Sequence, residues 1–183
     1  MQTDIAPRTM TAEQFEEFSL RPENADRRLE LVEGEITEVV SNSYASEVAA
    51  NILAEIRFFA KTHGGRVTGA DGGYVVGNDR YIPDVAFISE FRQPERPNVA
   101  WNPIAPDLAV QVLSPTDDPT EIRIKTSNYL SAGTTVWVAD PDRKRIEVHA
   151  PGIPVFIARM GDTLGGGDVL PGFTLAVGDI FPA

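Results

Sequence analysis

The clearest pattern of apolar and polar positions lies between Ser43 and Gly64. Four apolar residues follow one another there at spacings of four, four and three, namely Val48, Ile52, Ile56 and Phe59. These spacings place all four side chains on one face of a helix. The pattern therefore predicts an amphipathic helix, with Ser43 as its N-cap and Gly64-Gly65 as its end.

Apolar runs typical of buried strands follow, at about 66–76, 83–88 and 107–113. A second helix is predicted from Asp117-Asp118-Pro119 to about Ala132, because Asp favours the N-cap and Pro favours the first helical turn. Thr134 to Ala139 is again an apolar strand. The order helix, three strands, helix, strand predicts an α/β or α+β fold with a mixed sheet flanked by helices.

Shorter elements are predicted at both ends of this core, which spans about residues 28–150. The first ten residues are predicted to be a loose arm, and Thr11 with Gln14 forms the capping box of a short helix. Glu33-Gly34 is predicted to be a hairpin turn. Further short strands are expected beyond residue 150, interrupted by glycine-rich turns.

Composition is that of a soluble globular protein, with 42% hydrophobic and 23% charged residues. A chain of 183 residues fits one domain, 1–183. We expect no transmembrane helix and no signal peptide, because long apolar runs and a basic, apolar N-terminus are lacking. Cysteine is absent, which excludes disulfides and thiolate chemistry and is compatible with the cytoplasm.

The formal net charge of −11 bears on which partners the protein can bind, nucleic acid above all. Proteins that bind nucleic acid without sequence preference are usually basic, because neutralised phosphates supply most of the affinity. The overall charge thus argues against tight DNA binding, although a small basic surface around one cleft remains compatible with it.

Candidate chemistry comes from polar residues inside apolar strands. Asp84 lies at the start of one strand and Gln111 lies in the middle of another, and Lys125 follows on the second predicted helix. Burying such groups is costly unless something satisfies them. The three residues therefore predict a small polar site in an apolar sheet, as a metal-dependent phosphodiesterase requires. No phosphate-loop, dinucleotide-binding or serine-hydrolase motif is present, and His63 and His149 do not form a zinc-type pair.

Several segments together resemble the Uma-two family of endonucleases, within the PD-(D/E)XK or restriction-endonuclease-like superfamily. The resemblance covers about residues 10–150 and rests on the order and spacing of five segments: 28–36, 83–86, 110–115, Lys125 with Tyr129, and 136–141. It implies a divalent-metal site at the end of the sheet, holding Mg²⁺ or Mn²⁺, and DNA as the substrate.

The resemblance also implies roles for individual residues. Asp84 would be the central metal ligand, and position 111 would supply the second. Lys125 would be the superfamily's lysine, displaced onto the helix, and would position the attacking water. Glu30 would match a recurrent upstream glutamate that helps to hold the metal.

The sequence departs from the family pattern at two positions. Gln111 stands where relatives usually have glutamate, so the site loses one negative charge, and Ala45 stands where relatives often have histidine. These departures leave open a second hypothesis, in which the chain is a catalytically weakened or inactive nuclease-like module that binds nucleic acid or a protein partner. A structural protein that assembles through its sheet edges is a third, and a homodimer would suit duplex cleavage.

Each candidate also has a purely structural alternative. Asp84 could pair with an arginine such as Arg80, and Gln111 could hydrogen-bond a neighbouring backbone group. Lys125 could form a solvated helix pair with Glu121, four residues earlier. Glu30 could face solvent on the hairpin.

Overall fold

The computed structural model describes residues 9–182. It contains three α-helices, which are α1 (Ala12–Ser19), α2 (Ser43–His63) and α3 (Pro119–Ser131). The strands before α3 are β1 (Leu29–Val32), β2 (Glu35–Glu38), β3 (Arg66–Gly69), β4 (Gly73–Val76), β5 (Asp79–Tyr81), β6 (Val85–Ile88), β7 (Trp101–Asn102) and β8 (Leu108–Val112). Those after it are β9 (Thr135–Asp140), β10 (Arg145–Ala150), β11 (Ile153–Arg159), β12 (Thr163–Gly165) and β13 (Thr174–Ala176).

The central layer is a six-stranded sheet with the order β11-β10-β9-β8-β6-β3. Only the β8–β9 pair is parallel, and α3 forms its crossover connection. A second sheet of five strands has the order β2-β1-β5-β4-β7, and β12 pairs with β13 in a small third sheet. The predicted mixed sheet flanked by helices is confirmed.

Opposite faces of the central sheet belong to two hydrophobic clusters, because side chains alternate along a strand. Val85, Val110 and Trp137 pack with α2 on one face, in a cluster that extends to Phe173 and Phe181 near the C-terminus. On the other face, Ala86, Ala109 and Val136 pack with Tyr129 of α3 and with the five-stranded sheet. The candidate site lies on this second face.

Several local predictions are confirmed. Thr11 and Gln14 form the predicted capping box of α1. Glu33 and Gly34 form the tight β1–β2 turn, with φ angles of 49° and 85°. A left-handed backbone at both central positions matches the right-handed twist of the flanking strands. Residues 1–8 of the predicted arm lie outside the described part of the chain.

Two sequence predictions are wrong in detail. The single strand expected at 66–76 is two strands, β3 and β4, which belong to different sheets because Ala70–Gly72 turn the chain between them. The N-cap of α2 is Asn42 rather than Ser43. The Asn42 side chain accepts a hydrogen bond from the Ala45 N–H at 2.9 Å, and this geometry is what defines the cap.

No helix among residues 9–182 combines the length and the apolar character that crossing a membrane requires.

Candidate active site

Asp84 and Gln111 lie directly opposite each other in the central sheet. Strands β6 and β8 are antiparallel, with Val85 opposite Val110, and the Asp84 N–H donates to the Val110 carbonyl at 3.0 Å. The next residue pair in this register is Asp84 with Gln111. Both share the strand face of Ala86 and Ala109, which is the face that α3 covers.

Lys125 and Glu30 close the site from the other side. Lys125 lies on α3, and its Nζ forms an ion pair with Oε2 of Glu30, which lies on β1. The other oxygen of Glu30, Oε1, accepts a hydrogen bond from the Ile82 N–H at 2.5 Å. Lys125 Nζ also contacts Glu121 Oε1 at 2.6 Å, one helical turn earlier. The side chains of Lys125 and Glu30 are 7% and 1% exposed, so this is a buried ion pair.

One pocket of about 180 Å³ contains all four predicted site residues, Glu30, Asp84, Gln111 and Lys125. The structure thus brings together side chains from β1, β8 and α3 and from the loop before β6. A larger cleft of about 970 Å³ adjoins this pocket, since Asp117 and Ile122 line both. The small pocket therefore has a wide approach beside it.

Burial dominates the electrostatics of the site. It raises the pKa of the Asp84 carboxyl, while the hydrogen bond from the Val112 N–H, 2.8 Å from Oδ2, and the nearby Arg28 guanidinium act in the opposite direction. Burial likewise raises the pKa of Glu30, against the effect of Lys125. For Lys125 itself, burial acts to lower the pKa, but Glu30 and Glu121 outweigh it and the pKa is raised. Lys125 is consequently an ammonium ion at neutral pH.

Of the purely structural alternatives for Asp84, Glu30 and Lys125, two are wrong and one is correct only in part. Arg80 pairs with Glu16 at 2.6 Å, so the proposed Asp84–Arg80 pair is wrong. Glu30 is buried, so the alternative in which it faces solvent is wrong as well. The Lys125–Glu121 pair does form, but on a buried rather than a solvated part of α3.

The amide nitrogen of Gln111 lacks the hydrogen bond that a purely structural role would require. Its Nε2 is buried and has no hydrogen-bond partner within residues 9–182, so the alternative of a bond to the backbone is not what the amide nitrogen does. An unsatisfied buried amide is unfavourable, and such groups in a pocket are candidates for binding a ligand. The amide oxygen remains a possible cation ligand.

The donor set is compatible with a magnesium ion. Asp84 and Gln111 offer oxygen atoms side by side, and Mg²⁺ prefers oxygen ligands while keeping several waters. Only Oδ2 of Asp84 has a hydrogen-bond donor among the described residues, which leaves Oδ1 for a cation. Within the same part of the chain, however, no three Asp, Glu, His or Cys residues are arranged to hold a metal. A bound ion would thus depend on Gln111 and on water.

Two further charged residues act on the site but were not predicted for it, namely Glu121 and Arg28. Glu121 was assigned only a structural role, although it holds Lys125 together with Glu30. Arg28 was noted only as part of a motif. Its position two residues before Glu30 on the same strand face is the sequence signal that could have drawn attention to it.

The comparison with known families gives the class of this protein, which is restriction-endonuclease-like. The family model described as "putative restriction endonuclease", Uma2, matches residues 12–178, and the chain belongs to that family.

The fold has a close match among solved structures. A crystal structure described as a putative nuclease belonging to DUF820, from Anabaena variabilis, superposes with a TM-score of 0.82. The two sequences are 21% identical, and the match covers 94% of this chain and 97% of the other. At this identity the likeness establishes the fold. No curated protein matches the chain.

Proposed function

We propose that this protein is a metal-dependent endonuclease that hydrolyses phosphodiester bonds in DNA. The observation that carries the proposal is the convergence of Glu30, Asp84, Gln111 and Lys125 in one small pocket of an otherwise apolar sheet. The descriptions of the family and of the structural relative support the same class of reaction.

Asp84 and Gln111 are the residues that would hold Mg²⁺ or Mn²⁺. When bound, the ion would supply a Lewis acid for the phosphoryl oxygen and would lower the pKa of a coordinated water. Asp84 contributes a carboxylate beside Gln111 at the start of β6 in the central sheet. One carboxylate oxygen of Glu30 pairs with Lys125, and the other accepts a hydrogen bond from the Ile82 N–H. That Glu30 also helps to hold the metal stays a prediction.

Lys125 would orient the attacking water and stabilise the charge that develops on the phosphate. Burial acts against its ammonium form, but Glu30 and Glu121 hold the pKa above its usual value, so Lys125 donates hydrogen bonds rather than accepting a proton. Fixed charge of this kind, aimed at the transition state, is often the largest catalytic contribution. The two carboxylates keep the ammonium in place and leave it a third N–H for the substrate side.

DNA as substrate must be reconciled with the net charge of −11. The cleft beside the pocket contains three arginines, but it also contains the four acids Asp117, Asp140, Asp142 and Glu147. Arg143 pairs with Asp140, and Arg145 pairs with Asp140 and Glu147. The cleft therefore does not offset the net charge, and DNA as substrate rests on the pocket itself and on the descriptions of the family and its structural relative.

Cleavage of supercoiled plasmid in the presence of Mg²⁺ or Mn²⁺ tests the proposal. We expect nicking by the unaltered protein, complete loss in Asp84→Ala, and full activity in Asp168→Ala, which removes an exposed carboxylate between β12 and β13. Equal nicking by the unaltered protein and Asp84→Ala would refute the assignment of the site, because the cleavage would then come from another source such as a contaminating nuclease. Absence of nicking by the unaltered protein would refute the activity.

A second candidate function is a nuclease-like module that binds nucleic acid or a protein without cutting. The observation that favours it is the neutral Gln111 in place of an acid, together with the lack of a three-residue acidic cluster among residues 9–182. Gln111→Glu separates the two candidates. Gain of metal binding and of cleavage would indicate a weakened active site, whereas no metal binding by either form would favour the module.

We also propose that the protein acts in the cytoplasm as a homodimer, whose two-fold axis would present one pocket to each DNA strand. The absence of cysteine supports the compartment. Light scattering of the purified protein measures the assembly, and a monomeric mass at micromolar concentration would refute the dimer.

A further inference from the structure

Arg28 has buried donors that nothing in the described chain accepts. Its Nε and Nη2 are both inaccessible and have no hydrogen-bond partner within residues 9–182. The nearest ion-pair contact is Asp71 Oδ1, 3.9 Å from Nε, and that aspartate side chain is 96% exposed. A contact of this length to a solvated carboxylate does not satisfy a guanidinium, which carries five N–H donors. The side chain is therefore short of an acceptor.

The backbone directs Arg28 towards the site. The Arg28 carbonyl accepts a hydrogen bond from the Val39 N–H at 2.8 Å, so the β1–β2 ladder continues through it. Alternation along β1 then places Arg28 on the same face as Glu30, which reaches into the pocket. Arg28 also lowers the pKa of Asp84, and its effect is larger than that of Lys125. Val39, the ladder partner of Arg28, lines the pocket, so Arg28 lies next to the pocket and close enough to Asp84 for its charge to act on that carboxyl.

A second unpartnered donor belongs to a residue that lines the pocket itself. Nε2 of Gln111 is buried without a partner, and Gln111 lies opposite Asp84 in the sheet. Two donor groups without acceptors, beside one carboxylate, call for an anion with several oxygen atoms. Phosphate fits this need, because its oxygens match the planar fork of a guanidinium.

We propose that Arg28 is a phosphate-binding residue of this site, with Nε and Nη2 donating to the oxygens of the phosphodiester and Nε2 of Gln111 assisting. This inference rests on the proposed function and deepens it by naming the residue that holds the substrate. It also gives Gln111 a role that glutamate could not fill, since a carboxylate has no N–H to donate.

The competing explanation is that Arg28 only balances the charges of Asp84 and Asp71. The two explanations differ in their consequences. A charge-balancing arginine would stabilise the folded protein, so its removal would lower the melting temperature. A phosphate-binding arginine leaves its donors unsatisfied until the ligand arrives, so its removal would leave the melting temperature unchanged or higher.

The matched pair of variants is Arg28→Met and Arg27→Met. Arg27 is the preceding residue, carries the same charge, and pairs at the surface with Glu38 at 2.7 Å. Binding of a fluorescent DNA duplex is measured by anisotropy in Ca²⁺, over a series of salt concentrations. We expect Arg28→Met to weaken binding about 10- to 100-fold, as for a lost charge-assisted hydrogen bond. The slope of log K against log salt should fall by about 0.9, because one phosphate contact is lost.

Arg27→Met should leave both the affinity and the slope close to those of the unaltered protein. Equal behaviour of the two variants would overturn the proposal, as would a loss of affinity in Arg28→Met with an unchanged salt slope. Should Arg28→Met unfold, Arg28 has the stabilising role of the competing explanation, and Arg28→Lys then decides whether it also binds phosphate. Arg28→Lys keeps the positive charge but loses the planar guanidinium. We expect it to keep the slope of log K against log salt and to bind DNA more weakly than the unaltered protein. An affinity equal to that of the unaltered protein would overturn the proposal.

A second measurement does not depend on nuclease function. Inorganic phosphate, with no metal present, should raise the melting temperature of the unaltered protein and of Arg27→Met but not that of Arg28→Met. If the unaltered protein neither binds nor cuts DNA, the proposed function fails, and the phosphate measurement alone then decides the role of Arg28. No effect of phosphate on the unaltered protein would overturn the anion site.

Discussion

Replacing Lys125 by methionine perturbs the ion pair that joins α3 to β1 across 95 residues of sequence. Methionine keeps most of the side-chain volume and removes the charge. Glu30, 1% exposed, would then retain only the hydrogen bond from the Ile82 N–H. Breaking a buried ion pair by removing one partner typically costs about 3–5 kcal/mol, because the remaining charge is buried without compensation.

Removing the other partner of the ion pair, Glu30, should destabilise the protein less. In Glu30→Gln, Lys125 keeps Glu121 at 2.6 Å, and the amide oxygen can still accept from the Ile82 N–H. We therefore expect a loss of about 1–2 kcal/mol, the range for one hydrogen bond. The double variant Glu30→Gln/Lys125→Met has no stranded buried charge, so it should be more stable than Lys125→Met alone by about 1–3 kcal/mol, the coupling expected of residues in contact.

Urea unfolding and thermal unfolding, both followed by circular dichroism, measure these differences. Lys125→Met should lower the melting temperature by about 6–20 °C, given about 2–4 °C per kcal/mol for a protein of this size. Lys61→Met, at an exposed position of α2, should stay within about 0.5 kcal/mol of the unaltered protein. A double variant no more stable than Lys125→Met would refute the reasoning, because it would show that Glu30 is not left uncompensated.

Three further outcomes follow from the structure, two at the site and one at the contact between β4 and β7. Asp84→Asn should be at least as stable as the unaltered protein at pH 7. Because the pKa of Asp84 is raised, the contribution of this carboxyl to stability is present below its usual pKa of 3.8 and is lost as pH rises through the folded-state value. The melting temperatures at pH 3 and pH 7 should therefore differ less in the variant than in the unaltered protein. Gln111→Glu should raise Mn²⁺ affinity about tenfold by calorimetry, because ligand charge tunes affinity, and no gain would count against Gln111 as a ligand. Gly73→Ala should lower the melting temperature by several degrees, since an added Cβ would lie 2.5 Å from the Trp101 ring; an unchanged value would mean that the ring can move aside.

Strands β6, β8 and β9 could be predicted from the sequence because each is a nearly unbroken apolar run that is buried along its whole length. Helix α3 was predicted to within two residues at its start, since Asp118 and Pro119 give a strong local signal. The division of 66–76 between two sheets could not be predicted in this way. Strand pairing depends on contacts distant in sequence, and both halves of that segment have the same apolar character.

The site shows the same limit. Asp84 and Gln111 were identifiable because each is a polar residue in an apolar strand, which is a local anomaly. The contact between Glu30 and Lys125, and the unpartnered donors of Arg28, depend on how β1 and α3 pack against the sheet. The family resemblance supplied Glu30 as a candidate, but its near-complete burial and its partner became visible only in the folded chain.

The central claim is that Asp84 and Gln111 hold a divalent ion in the pocket closed by Lys125. Crystals of the protein soaked in Mn²⁺ and recorded at a wavelength with manganese anomalous signal test it directly. We predict an anomalous peak about 2.1 Å from Oδ1 of Asp84, with Gln111 Oε1 among the ligands, and no such peak in crystals of Asp84→Ala. A peak elsewhere only, or none at saturating Mn²⁺, would contradict the account.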